Sequence, residues 1–278
     1  MSGANTFSGG VVLSDGAILV GDDAAFGSGA VTFSGGRISS DSATARTLSN
    51  AFTLGGTLGF GDSGYDGALT LSGSVALGSE TTLTISSAVV ISGMVSGAHS
   101  LTKAGSNELS LSGVNIFSGV TNVDAGVLTL SGGSALINSM AVTVGAGGSL
   151  RLTDGEEIAS LAGTGEVLLQ GNTLTIGGTS ATVYGGLMSG SGKLVKSGAS
   201  ILTLSGSNTF SGGVDLSAGT IQFGNVSALG TGLLSFSGGR ISSDSVNDRT
   251  LMNAIAISGS LGLGDEVNSG VITMAGSI

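Results

Sequence analysis

ILTLSGSNTFSGG, residues 201–213, carries in one stretch the pattern that decides the fold. Leu202, Thr203 and Leu204 alternate apolar with small polar, and Ser205-Gly206 then breaks the run. Short alternation closed by Gly or Asn reads as a half-buried strand followed by a turn. The same grammar returns at Leu69-Thr70-Leu71, Leu109-Ser110-Leu111 and Leu128-Thr129-Leu130, each followed by Ser-Gly. Helical periodicity is absent, and the strong helix formers Glu, Lys and Arg are scarce. The chain is therefore expected to be all-β.

The turn half of the stretch belongs to a repeat. SGSNTFSGG at residues 205–213 matches SGANTFSGG at residues 2–10, a spacing of 203. That spacing also superposes FSGGRISSDS at 33–42 on FSGGRISSDS at 236–245, and Arg46-Thr47-Leu48 on Arg249-Thr250-Leu251. It holds to the last residue, where Val75 meets Ile278. The expected organisation is one continuous solenoid over residues 1–278: a tandem unit of 203 residues (1–203), then the first 75 residues of the next (204–278), with no separate globular domain. A finer echo at a spacing of 93 sets Leu101-Thr102-Lys103-Ala104-Gly105 on Leu194-Val195-Lys196-Ser197-Gly198. Three segments thus share the phrase SGxNxFSG, which singles out Asn5 and Phe7, Asn115 and Phe117, and Asn208 and Phe210 as structural repeat positions.

Copies that hold register over such a distance argue for a parallel β-solenoid and against a sandwich. In a solenoid each coil places its strand about 4.8 Å above the last, so equivalent side chains stack in columns that a repeat preserves. Inward Leu, Ile, Val and Phe fill a narrow core, outward Ser and Thr form hydroxyl ladders, and Gly and Asn take the corners. Pro would delete a ladder donor, and the chain has none among its 278 residues, whereas 53 are Gly. Coils of roughly 20–25 residues would give on the order of a dozen turns. Hydrophobic residues at 40%, regularly patterned, argue against a flexible Gly-rich linker.

Composition removes several functions. A net charge of −10, with eight Lys and Arg in all, opposes binding to nucleic acid. The absence of Cys excludes disulfides, thiolate metal sites and Cys nucleophiles, and suits an oxidising exterior. No apolar run of about 18 residues exists for a spanning helix, so no membrane insertion is expected. Residues 1–10 lack a basic or apolar leader pattern, which reads as a piece of a longer chain.

Residues 190–225, with a weaker echo at 95–132, resemble the autotransporter-associated β-strand repeat of passenger domains in Gram-negative surface adhesins. Including the copy at residue 2 and the filling at 141–155 and 160–178, the resemblance spans nearly the whole chain. It implies a right-handed, single-stranded parallel β-helix exported through an outer-membrane barrel and displayed outside the cell. It also implies adhesion or biofilm contacts, or a scaffold for an activity elsewhere. The chain shows neither the carboxy-terminal barrel nor an inserted globular domain of such proteins.

No residue set points to catalysis or to a cofactor. His99 is the sole histidine, and its counterpart 93 residues on is Gly192. Gly59–Gly64 fits GxGxxG, but no helix is expected after it, and the copy has Val267 in place of Gly64. Asp62 and Asp66 in GFGDSGYDG are weak calcium candidates, oxygen donors in a turn of which the copy keeps only Asp265. Asp154, Glu156 and Glu157 read as a solvated acidic turn, and Asn225-Val226-Ser227 as an idle glycosylation sequon. Arg37 and Arg46, returning as Arg240 and Arg249 near Asp41 and Asp244, form either a surface ion pair or a contact face recurring once per unit. The expectation is a non-enzymatic adhesive rod making multivalent contacts with a host or matrix glycan or protein, or with like molecules on neighbouring cells. The alternatives are a filament assembling end to end through open strand edges, or a passive scaffold.

Overall fold

The computed structural model describes residues 1–138 and 140–278, and among them every regular element is a β-strand. Among the described residues no helix is long and apolar enough to cross a membrane. Two compact units are present, Met1–Ile137 and Asn138–Ile278.

In the first unit the chain coils so that each stretch lies parallel to one about 20 residues later, building three faces. The first runs through Val11–Leu13, Val31–Phe33, residues 52–54, residues 75–77 and Val95–Ser96, with Val11, Val31, Phe52, Val75 and Val95 in register. The second follows Ala17–Val20 and Arg37–Ser40 and stacks Ala17, Arg37, Gly59, Thr84 and Ala104. The third stacks Leu48, Leu71, Ile91, Leu111 and Leu130 from strands that each present alternate residues inward. The alternation read in the sequence is this geometry: Leu69, Leu71, Leu109 and Leu111 are buried, while Thr70 and Ser110 face outward. Aromatic rings join the first face to the second, with Phe33 and Phe60 edge to face at 5.3 Å.

The second unit repeats the plan. One of its columns stacks Val144, Gly163, Tyr184, Leu204, Phe223 and Ser243. Another stacks Ile158, Ile176, Lys196, Leu216, Phe236 and Ile257. Strand limits recur at the 203-residue spacing: Val11–Leu13 with Val214–Leu216, Arg37–Ser40 with Arg240–Ser243, and Leu69–Leu71 with Ile272–Met274. The fold is the all-β parallel solenoid expected from the sequence.

Each inward Leu is fully buried against neighbours above and below it, as Leu71 and Leu111 are at 0% exposure. Burying such a side chain contributes about 1.5–3 kcal/mol, and a narrow core leaves little room to relax around a void. Leu111→Ala is expected to lower stability by about 2–5 kcal/mol, read as a shifted denaturant midpoint. Ser110→Ala, on the opposite side of the same strand, should leave the midpoint within about 0.5 kcal/mol of its original value.

Candidate functional site

The shared phrase SGxNxFSG is a structural tie. Asn208 Oδ1 accepts the Met188 N–H at 2.7 Å, and its Nδ2 donates to the Ala228 carbonyl at 2.6 Å, so one amide fastens a coil to both neighbours. Asn115 does the same with Val95 and Ala135, both at 2.7 Å. Asn5 donates to the Ala25 carbonyl at 2.8 Å. Phe117 and Phe210 are fully buried beside their ties, while Phe7 is 38% exposed. Asn208→Ala should cost about 1–3 kcal/mol for each backbone group left without its partner. Asn208→Asp should cost at least as much at neutral pH, because it sets a buried carboxylate against the Ala228 carbonyl oxygen, as measured by denaturation.

Lys103 and Lys196 are the residues that the sequence reading passed over. Both are fully buried. Lys103 Nζ donates to the carbonyls of Ala104 (3.0 Å), Gly105 (2.7 Å) and Ala125 (2.7 Å). Lys196 Nζ donates to the Gly198 carbonyl. The cage closes under the next coil's turn, where Gly126 and Gly219 have φ of +67° and +71°. A Cβ at Gly219 would sit 2.7 Å from Lys196 Nζ and 2.3 Å from the Gly198 oxygen, so only glycine fits. The signal was available: Lys103 shares strand phase with the inward Leu101, and Lys196 with Leu194. Burial brings both amines down to about 8, from an ordinary value of 10.5. Above pH 8 the folded chain sheds protons that the unfolded chain still holds, so stability should rise as pH climbs from about 8 towards 10. Thermal unfolding of the wild type should show this slope, and a Lys103→Met, Lys196→Met double variant should flatten it.

The arginines separate into two places. Arg46 meets Asp41 at 3.3 Å on a corner where Ser40 Oγ donates to the Thr44 carbonyl at 2.7 Å. The copy reproduces it, with Arg249 to Asp244 at 2.7 Å and Ser243 to Asn247 at 2.8 Å. Arg37 does not share Asp41. It lies on the second face and reaches Asp62 of the following coil at 2.5 Å. Gly59, in register beside it, permits this, since a Cβ there would lie 3.3 Å from the arginine's side chain. Gly262 does the same for Arg240, which donates to the Gly264 carbonyl. Asp62 is held below the usual carboxylate range by the Gly64 N–H and then by Arg37. Asp265 is drawn down to about 2, chiefly by the Asn268 N–H.

A groove of about 420 Å³ opens at this point in the first unit, bordered by Asp15, Arg37, Ser39, Thr57, Asp62 and Thr84. In the second unit, cavities of about 520 and 430 Å³ lie around Arg240 and Asp265.

The remaining candidates are dispersed. Asp66 is exposed, and no group of three or more His, Cys, Asp or Glu that could hold a metal ion occurs among the described residues. His99 lies 3.6 Å from Glu80, whose carboxylate accepts the Ser100 N–H at 3.0 Å. Glu156 is not a solvated turn residue: it sits in the strand Glu156–Ile158 and is 4% exposed. Asn225 of the sequon closes a turn, accepting the Ser227 N–H at 2.8 Å while donating to the Ser205 carbonyl at 2.8 Å.

Comparison with known proteins bears on these same segments. Residues 1–20, 101–134 and 194–223 match the passenger-associated-transport-repeat family. The three matches contain Asn5, Asn115 and Asn208, and the second and third also contain the caged lysines. The chain is 35% identical over 197 residues to the adhesin BmaC autotransporter of Brucella suis biovar 1 (strain 1330), an alignment covering 66% of this chain and 5% of that protein. No solved structure matches the chain.

Proposed function

We propose that the chain is a segment of an autotransporter passenger built on passenger-associated-transport repeats, and that it is a non-enzymatic adhesive segment displayed outside the cell. The observation that carries this reading is the return of the same outward arrangement, an Arg–Asp corner beside an arginine groove, 203 residues along the chain. A solenoid spends its interior on holding register, which leaves its outward side chains free to vary. Arg46 and Arg249 are mostly covered and serve the corner itself, whereas Arg37 and Arg240 stay open to solvent, and their return fits a surface used more than once. Individually weak contacts then gain strength through effective concentration, by a factor of about 10²–10⁴. The partner is a component of a host or matrix surface, or of a neighbouring cell.

Beads coated with the chain at graded densities, washed over host-cell monolayers or immobilised matrix under flow, test this. Retention should rise more steeply than coating density. Retention in simple proportion to density would remove multivalency, and retention no greater than on albumin-coated beads would remove adhesion.

A further inference from the structure

We propose that the groove at Arg37 and Asp62 is a binding site for a neutral saccharide unit, with a second such site at Arg240 and Asp265. The inference rests on the adhesive reading and names the chemistry of its contact. The groove's volume, about 420 Å³, falls within the roughly 300–1,000 Å³ usual for small-molecule sites.

Its polar groups are set out for hydroxyls. Asp62 gives one carboxylate oxygen to Arg37 (2.5 Å) and the other to the Gly64 N–H (2.8 Å), so the carboxylate is fixed in place. Each oxygen keeps a lone pair for a ligand hydroxyl. Asp15 is fixed likewise by the Gly16 N–H at 2.7 Å through one oxygen, leaving the other open. Arg37 supplies further N–H donors beyond the one spent on Asp62. Ser39 Oγ borders the groove, is fully buried and has no hydrogen-bond partner. A buried hydroxyl left unpaired carries a desolvation penalty that a ligand oxygen would relieve. Gly59 keeps the floor flat beneath the guanidinium.

Charge selects among ligands. Two carboxylates against one guanidinium leave an excess negative charge, which repels anionic groups. The arginine already occupies the carboxylate face that a metal cation would take. A ring bearing adjacent hydroxyls satisfies acceptors and donors together without bringing charge. The second unit keeps Arg240 and Asp265 in its cavities, where Arg240 donates to the Gly264 carbonyl and Asp265 accepts from Gln222 Nε2 at 3.2 Å, and Glu266 and Asn268 join the lining.

The test is an amide-resolved NMR titration of the whole chain with methyl α-mannopyranoside, methyl β-galactopyranoside and methyl β-glucopyranoside, each to tens of millimolar. At least one glycoside should shift the amides of Gly16, Gly36, Gly59 and Gly64 together in a saturable way. In Asp62→Asn those shifts should require at least tenfold more ligand, while the shifts at Gly262 and Gly264 persist and report an intact fold. Gly59→Leu, which fills the floor, should abolish the first set in the same manner. If no glycoside shifts either set, or shifts persist unchanged in Asp62→Asn, the saccharide site is wrong. The bead assay separates the two readings: retained beads with silent grooves would overturn the groove and keep adhesion. Saturable groove binding with unretained beads would keep the site and overturn the adhesive role.

Discussion

A parallel ladder gives each backbone N–H and C=O its partner one coil away, and nearly everything else in this chain follows from that demand. To stay in register the chain must return to the same face after about 20 residues, as Val11 does to Val31 and Val75 to Val95. Where a coil is longer, the extra residues leave from a corner: Phe52 pairs with Val75 across an irregularity between Leu54 and Gly56, and the faces on either side stay aligned. Corners are the weak points of such a ladder because backbone groups leave the strand there without neighbours in line. Asn115 and Asn208 meet that need with one side chain for two coils. Lys103 meets it for three carbonyls at once, and Lys196 for that of Gly198.

The lysine solution is unusual in kind. A buried ammonium ordinarily finds a carboxylate, yet Lys103 and Lys196 are held by backbone carbonyls alone in the bonds that define their cages. Using carbonyls avoids a second buried charge, and three of them at Lys103 share the cation's proton donors. It also ties the cage to the turn of the following coil, through Ala125 and through the space that Gly126 leaves. The lysine therefore acts as a corner clamp, and its depressed affinity for a proton is the consequence of packing it under that turn.

What the sequence made legible was whatever repeats at short range. Period-two alternation at Leu69–Leu71 and Leu109–Leu111 marked strands, and the 203-residue spacing carries most strand limits from one copy to the other, although Phe52–Phe60 returns as the two shorter strands Ile255–Ile257 and Gly262–Leu263. What escaped depends on the next coil, which has no fixed distance in sequence. Arg37 was assigned to the vicinity of Asp41, four residues away, but its partner is Asp62, 25 residues on. Glu156 looked like part of an acidic turn because nothing local reveals that its strand is covered. Lys103 was legible by phase, but a cation in an apolar column is read past unless its parity is counted against Leu101.

Comparison of the two copies shows how such a scaffold can carry a changeable surface. Inward positions keep their class while altering size, as Val31 becomes Leu234, Phe52 becomes Ile255 and Ile38 remains Ile241. Outside the core some positions change chemistry, as Val12 becomes Asp215, Leu19 becomes Gln222 and Asp15 becomes Ala218, while others keep it, as Thr47 returns as Thr250 and Thr70 as Thr273. Around the groove identity is kept, since Arg37, Ser39, Gly59 and Asp62 are outward or bordering residues that return unchanged as Arg240, Ser242, Gly262 and Asp265. Core packing does not require an exposed arginine to keep both its glycine floor and its acid on the following coil. Their joint return, together with outward Thr47 and Thr70, shows that part of the outer surface is held as firmly between the copies as the core.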